Sequence, residues 1–332
     1  MFARVLRSVP LAAGFAASLA VIGALQCSAA ENALHIPEPQ NMTLETADGV
    51  ALACSYYKGG FVQNLKTKEV TAISGKEVVP VIMLHGWNGK RTEYDYTARV
   101  LQQFGHAVVV PDLRGHGESL TQKVGGRPVT YNRDRMGRAG VESMIYDIEA
   151  VRKFLLEKND AQELNLEMLC VVGADFGAAL AINWASVDWS RQQLPAFKQG
   201  NDVKAIVLLS PVQSFKGVTV TQALQHPVVS RSLGVLIVHG QEDSKNAKDA
   251  KAIYDRLAKY RAEPGANAKD RNARRDLLLL EPPTSLSGTQ LLTPRGLTVN
   301  QDLVGYIHGR LTTKKGDYPW TARKHPLTAP DR

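Results

Sequence analysis

Gly173-Ala174-Asp175-Phe176-Gly177 follows an apolar run and opens a helical segment. The small flanking residues permit a sharp turn that presents the central side chain, and such a turn is ordinarily built around serine rather than aspartate. A serine hydroxyl needs a histidine to take its proton. A carboxylate is already a nucleophile, but the ester it forms is released only by a histidine-activated water. Either chemistry therefore requires a histidine. The chain has eight: His35, His85, His106, His116, His226, His239, His308 and His325. His85, His106 and His239 flank apolar runs, and His35 and His325 lie in the terminal segments. His308 falls at helical spacing with Val304, Ile307 and Leu311 and reads as a packing residue. His116, in a loop, and His226, in a short connecting stretch, are the two candidates for a substitute base.

Asp175 also has a purely structural reading. A carboxylate at the start of the helix beginning at Phe176 can cap free NH groups and is favoured by the helix dipole. Asp243 has the same option ahead of a helix near Asn246. As a nucleophile, Asp175 suits epoxide or haloalkane substrates, which react through an alkyl ester. It does not simply replace serine in an esterase, because carboxylate attack on an acyl group gives a mixed anhydride.

The elements that would position these residues are legible as apolar runs at Val78–Leu84, Ala107–Leu113, Leu166–Gly173, Val203–Leu209, Leu233–His239 and Asp276–Leu280. Runs apolar on both faces predict a parallel sheet covered on both sides. Alternating residues around Asp48-Gly49 predict an antiparallel hairpin opening the sheet, Thr43–Thr46 with Ala51–Tyr57. A polar loop, Lys58–Lys76, follows. Helical spacing links Val141, Met144, Ile145, Ile148, Val151, Phe154 and Leu155. The segment Phe176–Ala185 is small or apolar almost all round, and Ala247–Lys259 is amphipathic. Alternating strands and helices predict a doubly wound, mostly parallel α/β sheet. Between Leu209 and Leu233 there is room for one short helix around Val220–Leu224, so only a minimal cap is expected.

The first thirty residues read as an export signal: Arg4 and Arg7, an apolar stretch Val9–Leu25, and Ser28-Ala29-Ala30 as a small-residue cleavage site. Cys27 follows Gln26, which is not the small residue that lipid attachment prefers. The formal charge is +8, and +6 without Arg4 and Arg7. The excess is local, in Arg256–Arg275 and in a tail with Lys314, Lys315, Arg323 and Lys324, which read as a solvated loop and a loose C-terminus. Their functional alternative is an anionic envelope component. An exported chain points away from nucleic acid. Cys54 and Cys170 fall on the second and fifth strands, roughly 14 Å apart at strand spacing, too far for a bridge. No metal-ligand cluster, phosphate loop or dinucleotide fingerprint is present, so no metal and no cofactor are expected.

His85-Gly86-Trp87-Asn88-Gly89 ends the third strand and Pro111-Asp112-Leu113-Arg114-Gly115-His116-Gly117-Glu118-Ser119 the fourth. With the Asp175 turn, these motifs resemble the α/β-hydrolase superfamily, in particular its lysophospholipase and monoacylglycerol-lipase-like branch. The resemblance covers about Thr43 to Leu311 and implies the α/β-hydrolase fold with eight strands. It implies that the NH groups of Trp87 and Phe176 occupy the oxyanion-hole positions, that Asp175 is at the nucleophile position, and that Asp243, in His239-Gly240-Gln241-Glu242-Asp243, is at the acid position. The family's histidine should follow the eighth strand, where Glu281-Pro282-Pro283-Thr284-Ser285-Leu286-Ser287-Gly288-Thr289-Gln290 contains none. The expected organisation is a signal peptide (1–30), an N-terminal extension (31–41), a hydrolase-fold domain (42–312) and a basic tail (313–332). Two functions stay open: a catalytically retired protein that binds a small carbonyl or cationic ligand, and an active ester, epoxide or haloalkane hydrolase using Asp175 with a non-standard base.

Overall fold

A computed structural model describes residues 34–194, 198–261, 276–293 and 296–323. Eight strands form one sheet: β1 (Gln40–Glu45), β2 (Ala51–Tyr57), β3 (Pro80–Leu84), β4 (Ala107–Pro111), β5 (Leu169–Ala174), β6 (Val203–Leu209), β7 (Gly234–Val238) and β8 (Leu277–Leu280). Their spatial order is β1-β2-β4-β3-β5-β6-β7-β8. The β1–β2 and β2–β4 pairs are antiparallel, and every later pair is parallel. The α/β-hydrolase fold expected from the motifs is therefore the fold observed.

Central strands are buried on both faces because helices cover both. Alternate residues divide between them: Ile82, Leu84 and Val171 join one core, Val81, Met83 and Val172 the other. The first core is roofed by α2 (Ile145–Asp160), α3 (Phe176–Trp189) and α4 (Ser244–Ala258), through Ile148, Val151, Ala181 and Ile253. The second is roofed by α1 (Asp95–Gln103) and α5 (Val299–Arg310), through Leu101, Leu303 and Ile307. Cys54 and Cys170 are free, buried in different cores, with two strands between them.

Several expectations are corrected. The Lys58–Lys76 loop contains a small hairpin, Phe61–Gln63 with Val70–Ala72, and a second hairpin, Thr121–Val124 with Arg127–Thr130, follows β4. Between β6 and β7 only a 3-10 turn, Ala223–Gln225, overlaps the expected Val220–Leu224 stretch, and the α-helix lies just beyond it at Pro227–Arg231; proline fits its first turn and the His226 ring accepts from the Val228 NH as a cap. The connection stays short, as expected for a minimal cap. His308 is exposed rather than packed. The described part of the tail is not loose. The Arg323 side chain is fully buried and contacts Glu167 Oε1 and Asp202 Oδ1, each at 2.7 Å. Lys324 and most of the Arg256–Arg275 stretch lie outside the described residues.

Candidate active site

Asp175 sits between β5 and α3 with φ 48° and ψ −114°, a strained backbone for any residue but glycine. Close approach of α3 to the sheet forces this turn. A Cβ on Gly177 would lie 2.5 Å from the Leu84 carbonyl oxygen and 2.6 Å from that of His85, so only glycine lets the helix start there. The Asp175 NH donates to Leu209 O, which ties the turn to β6.

The Asp175 side chain opens onto a cleft of about 510 Å³ at the C-terminal ends of the strands. Trp87, Phe176 and Asp243 line the same cleft, so the structure brings together four of the residues singled out from sequence. Phe176 and Trp87 pack with Phe215 as an aromatic wall, with ring centroids 4.8 to 5.6 Å apart. Neither the Trp87 NH nor the Phe176 NH finds an acceptor among the described residues. His116 Nε2 and Arg133 Nη1 both lie against Trp87 O, at 2.6 and 3.0 Å, and thereby hold the peptide that follows the Trp87 NH.

The structural reading of Asp175 is corrected here. Its carboxylate makes no capping hydrogen bond to α3, and among the described residues it accepts from no donor, the two oxyanion NH groups included. Burial, reinforced by the Asp243 carboxylate and then Glu93 against the opposing Lys245, pushes the Asp175 carboxyl up to about 6. Asp243 does cap, accepting from the Asn246 NH at 3.2 Å and from its side-chain nitrogen at 2.9 Å.

No histidine is among the described residues that line the cleft. His116 turns both ring nitrogens to carbonyl oxygens, those of Arg114 and Trp87, and burial lowers its pKa. His226 caps its short helix away from the cleft. His85 is held neutral, Nδ1 against Gly86 O and Nε2 accepting from the Leu113 NH, with burial pushing it down to about 4. Neither candidate base is therefore placed beside Asp175.

What reaches Asp175 from beyond β8 is Gly288, which sequence reading passed over. A methyl group on Gly288 would overlap Asp175 Oδ2, and one on Gly86 would come within 2.6 Å of it, so the carboxylate lies in a slot between two glycines. Gly288 has φ +55°, and its NH donates to the buried Ser210 Oγ at 3.0 Å. Thr289 Oγ1 donates to Glu93 Oε2 at 2.7 Å and closes the rim between this loop and the turn before α1. Glu93 was missed as well. It sits in the Arg91–Tyr94 turn before α1, which nothing in the sequence singled out. The described residues hold no cluster of three or more metal-ligating side chains.

The profile of the family described as serine aminopeptidase, S33, matches residues 76–264. No curated protein sequence matches the chain. Among solved structures, a dienelactone hydrolase from Anabaena variabilis aligns with a TM-score of 0.51 at 18% identity, over 83% of this chain and 100% of its own. An esterase from Pyrobaculum calidifontis aligns at 0.53 with 13% identity over 84% and 86%. The thermostable carboxylesterase EstE1, cloned from a metagenomic library, aligns at 0.54 with 11% identity over 85% and 91%. At such identities these likenesses concern the fold.

Proposed function

Because the chain belongs to the serine aminopeptidase S33 family of α/β-hydrolases, we propose that it is an exported member whose cleft binds a small carbonyl ligand without hydrolysing it. The observation that carries this reading is the Asp175 carboxylate seated between Gly86 and Gly288 in a cleft lined by no described histidine. Hydrolysis through an aspartyl ester would stop after one turnover without a base to activate water. Binding needs no base. A ligand carbonyl oxygen fits the free NH groups of Trp87 and Phe176, and its apolar part fits the wall of Trp87, Phe176 and Phe215. Export rests on Arg4, Arg7, the apolar stretch Val9–Leu25 and Ser28-Ala29-Ala30.

The strained turn at Asp175 keeps an alternative in view, an epoxide or haloalkane hydrolase with Asp175 as nucleophile. One experiment separates the two. Purified mature protein is assayed for multiple turnover against short and long acyl esters, an amide, an epoxide and a haloalkane, with Asp175→Ala as control. The binding reading expects no turnover above the variant. Turnover that disappears in Asp175→Ala overturns it in favour of hydrolysis.

A further inference from the structure

We propose that the Asp175 cleft is a carbon-acid site, in which the Asp175 carboxylate removes a proton from the carbon beside a bound carbonyl while the Trp87 and Phe176 NH groups hold the enolate oxygen. The inference rests on the reading that this cleft takes a carbonyl ligand and does not hydrolyse it. Three features of the same cleft carry it. The carboxylate accepts no hydrogen bond among the described residues, so its lone pairs are free to take a proton. Two backbone donors nearby are unused, as stabilisation of a developing oxyanion requires. The aromatic wall supplies an apolar bed for the substituent on the substrate.

The chemistry balances within this set. The α C–H bond breaks and its proton goes to a carboxylate oxygen of Asp175. The C–H electron pair becomes the C=C bond of the enolate, and the carbonyl π pair moves to oxygen. Return of the same proton to the original carbon regenerates the substrate; when the proton held on Asp175 is first replaced by one from solvent, return to that carbon gives exchange, and return to the γ-carbon of a β,γ-unsaturated ketone gives double-bond migration. Neither outcome needs a covalent intermediate or a second base, and solvent enters only as the source of the exchanged proton. That is why the missing histidine, fatal to hydrolysis, is no obstacle here. Among the described residues, the charged groups facing the carboxylate are Glu93 from the turn before α1 and Asp243 and Lys245 at the start of α4; the loop after β8 contributes the uncharged Ser287, Thr289 and Gln290. A carboxyl raised to about 6 is well matched to proton transfer near neutral pH. The substrates expected are neutral ketones with an apolar substituent, because two acidic neighbours disfavour an anion.

The probes are phenylacetone and cyclohex-3-enone. Loss of the α-proton signal of phenylacetone in D2O and conjugation of the enone are followed, with binding of each measured in parallel by saturation-transfer NMR. The expected result is exchange or isomerisation about 100-fold or more above protein-free buffer, falling to the buffer rate in Asp175→Asn with binding retained. Asparagine has the shape of the aspartate that already holds this strained backbone, and the melting curve of the variant checks its fold. Should it not fold, Asp243→Asn, which keeps a capping side chain, replaces it. The pH midpoint of the rate is then expected to move down, because a neighbouring negative charge has gone, and an unmoved midpoint overturns the proposal. Binding of the probes without exchange overturns the carbon-acid proposal and leaves the ligand-binding reading standing. Absence of binding by both probes overturns both.

Discussion

Replacing Asp175 by asparagine exchanges a carboxylate that lacks donors for a neutral group of the same shape. Since the folded-state pKa, about 6, lies above the ordinary carboxyl range, stability falls as pH rises from about 4, where the unfolded chain ionises, to about 6, where the folded one does; the full cost persists above that and is absent below about pH 4, where the carboxyl is protonated in both states. Asp175→Asn is therefore expected to raise stability at pH 8 by about 1–2 kcal/mol, with the gain gone at pH 4. Urea melts at the two pH values measure this, and an equal gain at both would refute the assignment. Gly288→Ala combines a positive φ with overlap onto Asp175 Oδ2, so it should cost about 1–2 kcal/mol and abolish ligand binding. Retained binding in that variant would mean that the carboxylate is not held by this glycine. Asp175, Trp87 and Phe176 were legible in the sequence because short motifs fix their relation to a strand end, and Asp243 because it precedes a helix. Gly288 and Glu93 were not, because their roles come from contacts between segments far apart in the chain: Gly288 with Asp175, and Thr289 with Glu93.

At the level of elements, the approach of α3 to β3 decides whether the site exists at all. Gly177→Ala would push a methyl group to 2.5 Å from a strand carbonyl that is fixed by the sheet. It should destabilise the protein by about 1–3 kcal/mol, seen as a lower urea midpoint with unchanged slope, and a neutral result would mean that α3 can retreat from β3 without cost. The strands that flank this helix were legible because continuous apolar runs have few alternatives in a parallel sheet. What escaped sequence reading are elements with little burial. The hairpin Thr121–Val124 with Arg127–Thr130 is largely exposed and leaves no apolar periodicity on which a sequence reading depends. The short α1 is amphipathic, but two of its four buried residues, Thr97 and Gln102, are polar, so its inward face is not marked by apolar residues alone. The cap helix was displaced from its expected place by Pro227, whose fixed φ favours a helix starting there over one ending before it.

Across the whole molecule, the end of the described chain is fastened to the side of the sheet where β5 and β6 begin. Asn159 and Asn165 side chains donate to Thr321 O and Tyr318 O, Trp320 Nε1 donates to Asn159 O, and Lys76 lies over the Trp320 ring. Arg323 then joins a buried ion-pair network in which Arg152 also meets Asp202 and Lys198 meets Glu167. Removing one partner from such a network leaves buried charge uncompensated. Arg323→Ala should therefore cost about 3–5 kcal/mol, with little relief from added salt, since buried pairs are weakly screened. A loss below 1 kcal/mol would show that the remaining cations suffice. Lys and Arg in the tail had suggested a solvated end, because basic composition alone does not say which carboxylates await it. The consequence reaches into the order of events during synthesis. Arg323 follows Glu167 by 156 residues and Asp202 by 121, so the charge balance beneath β5 and β6 cannot close until all the chain between them has been made. Until then the two strands carry carboxylates whose cation is still to come, however well the rest of the sheet has formed.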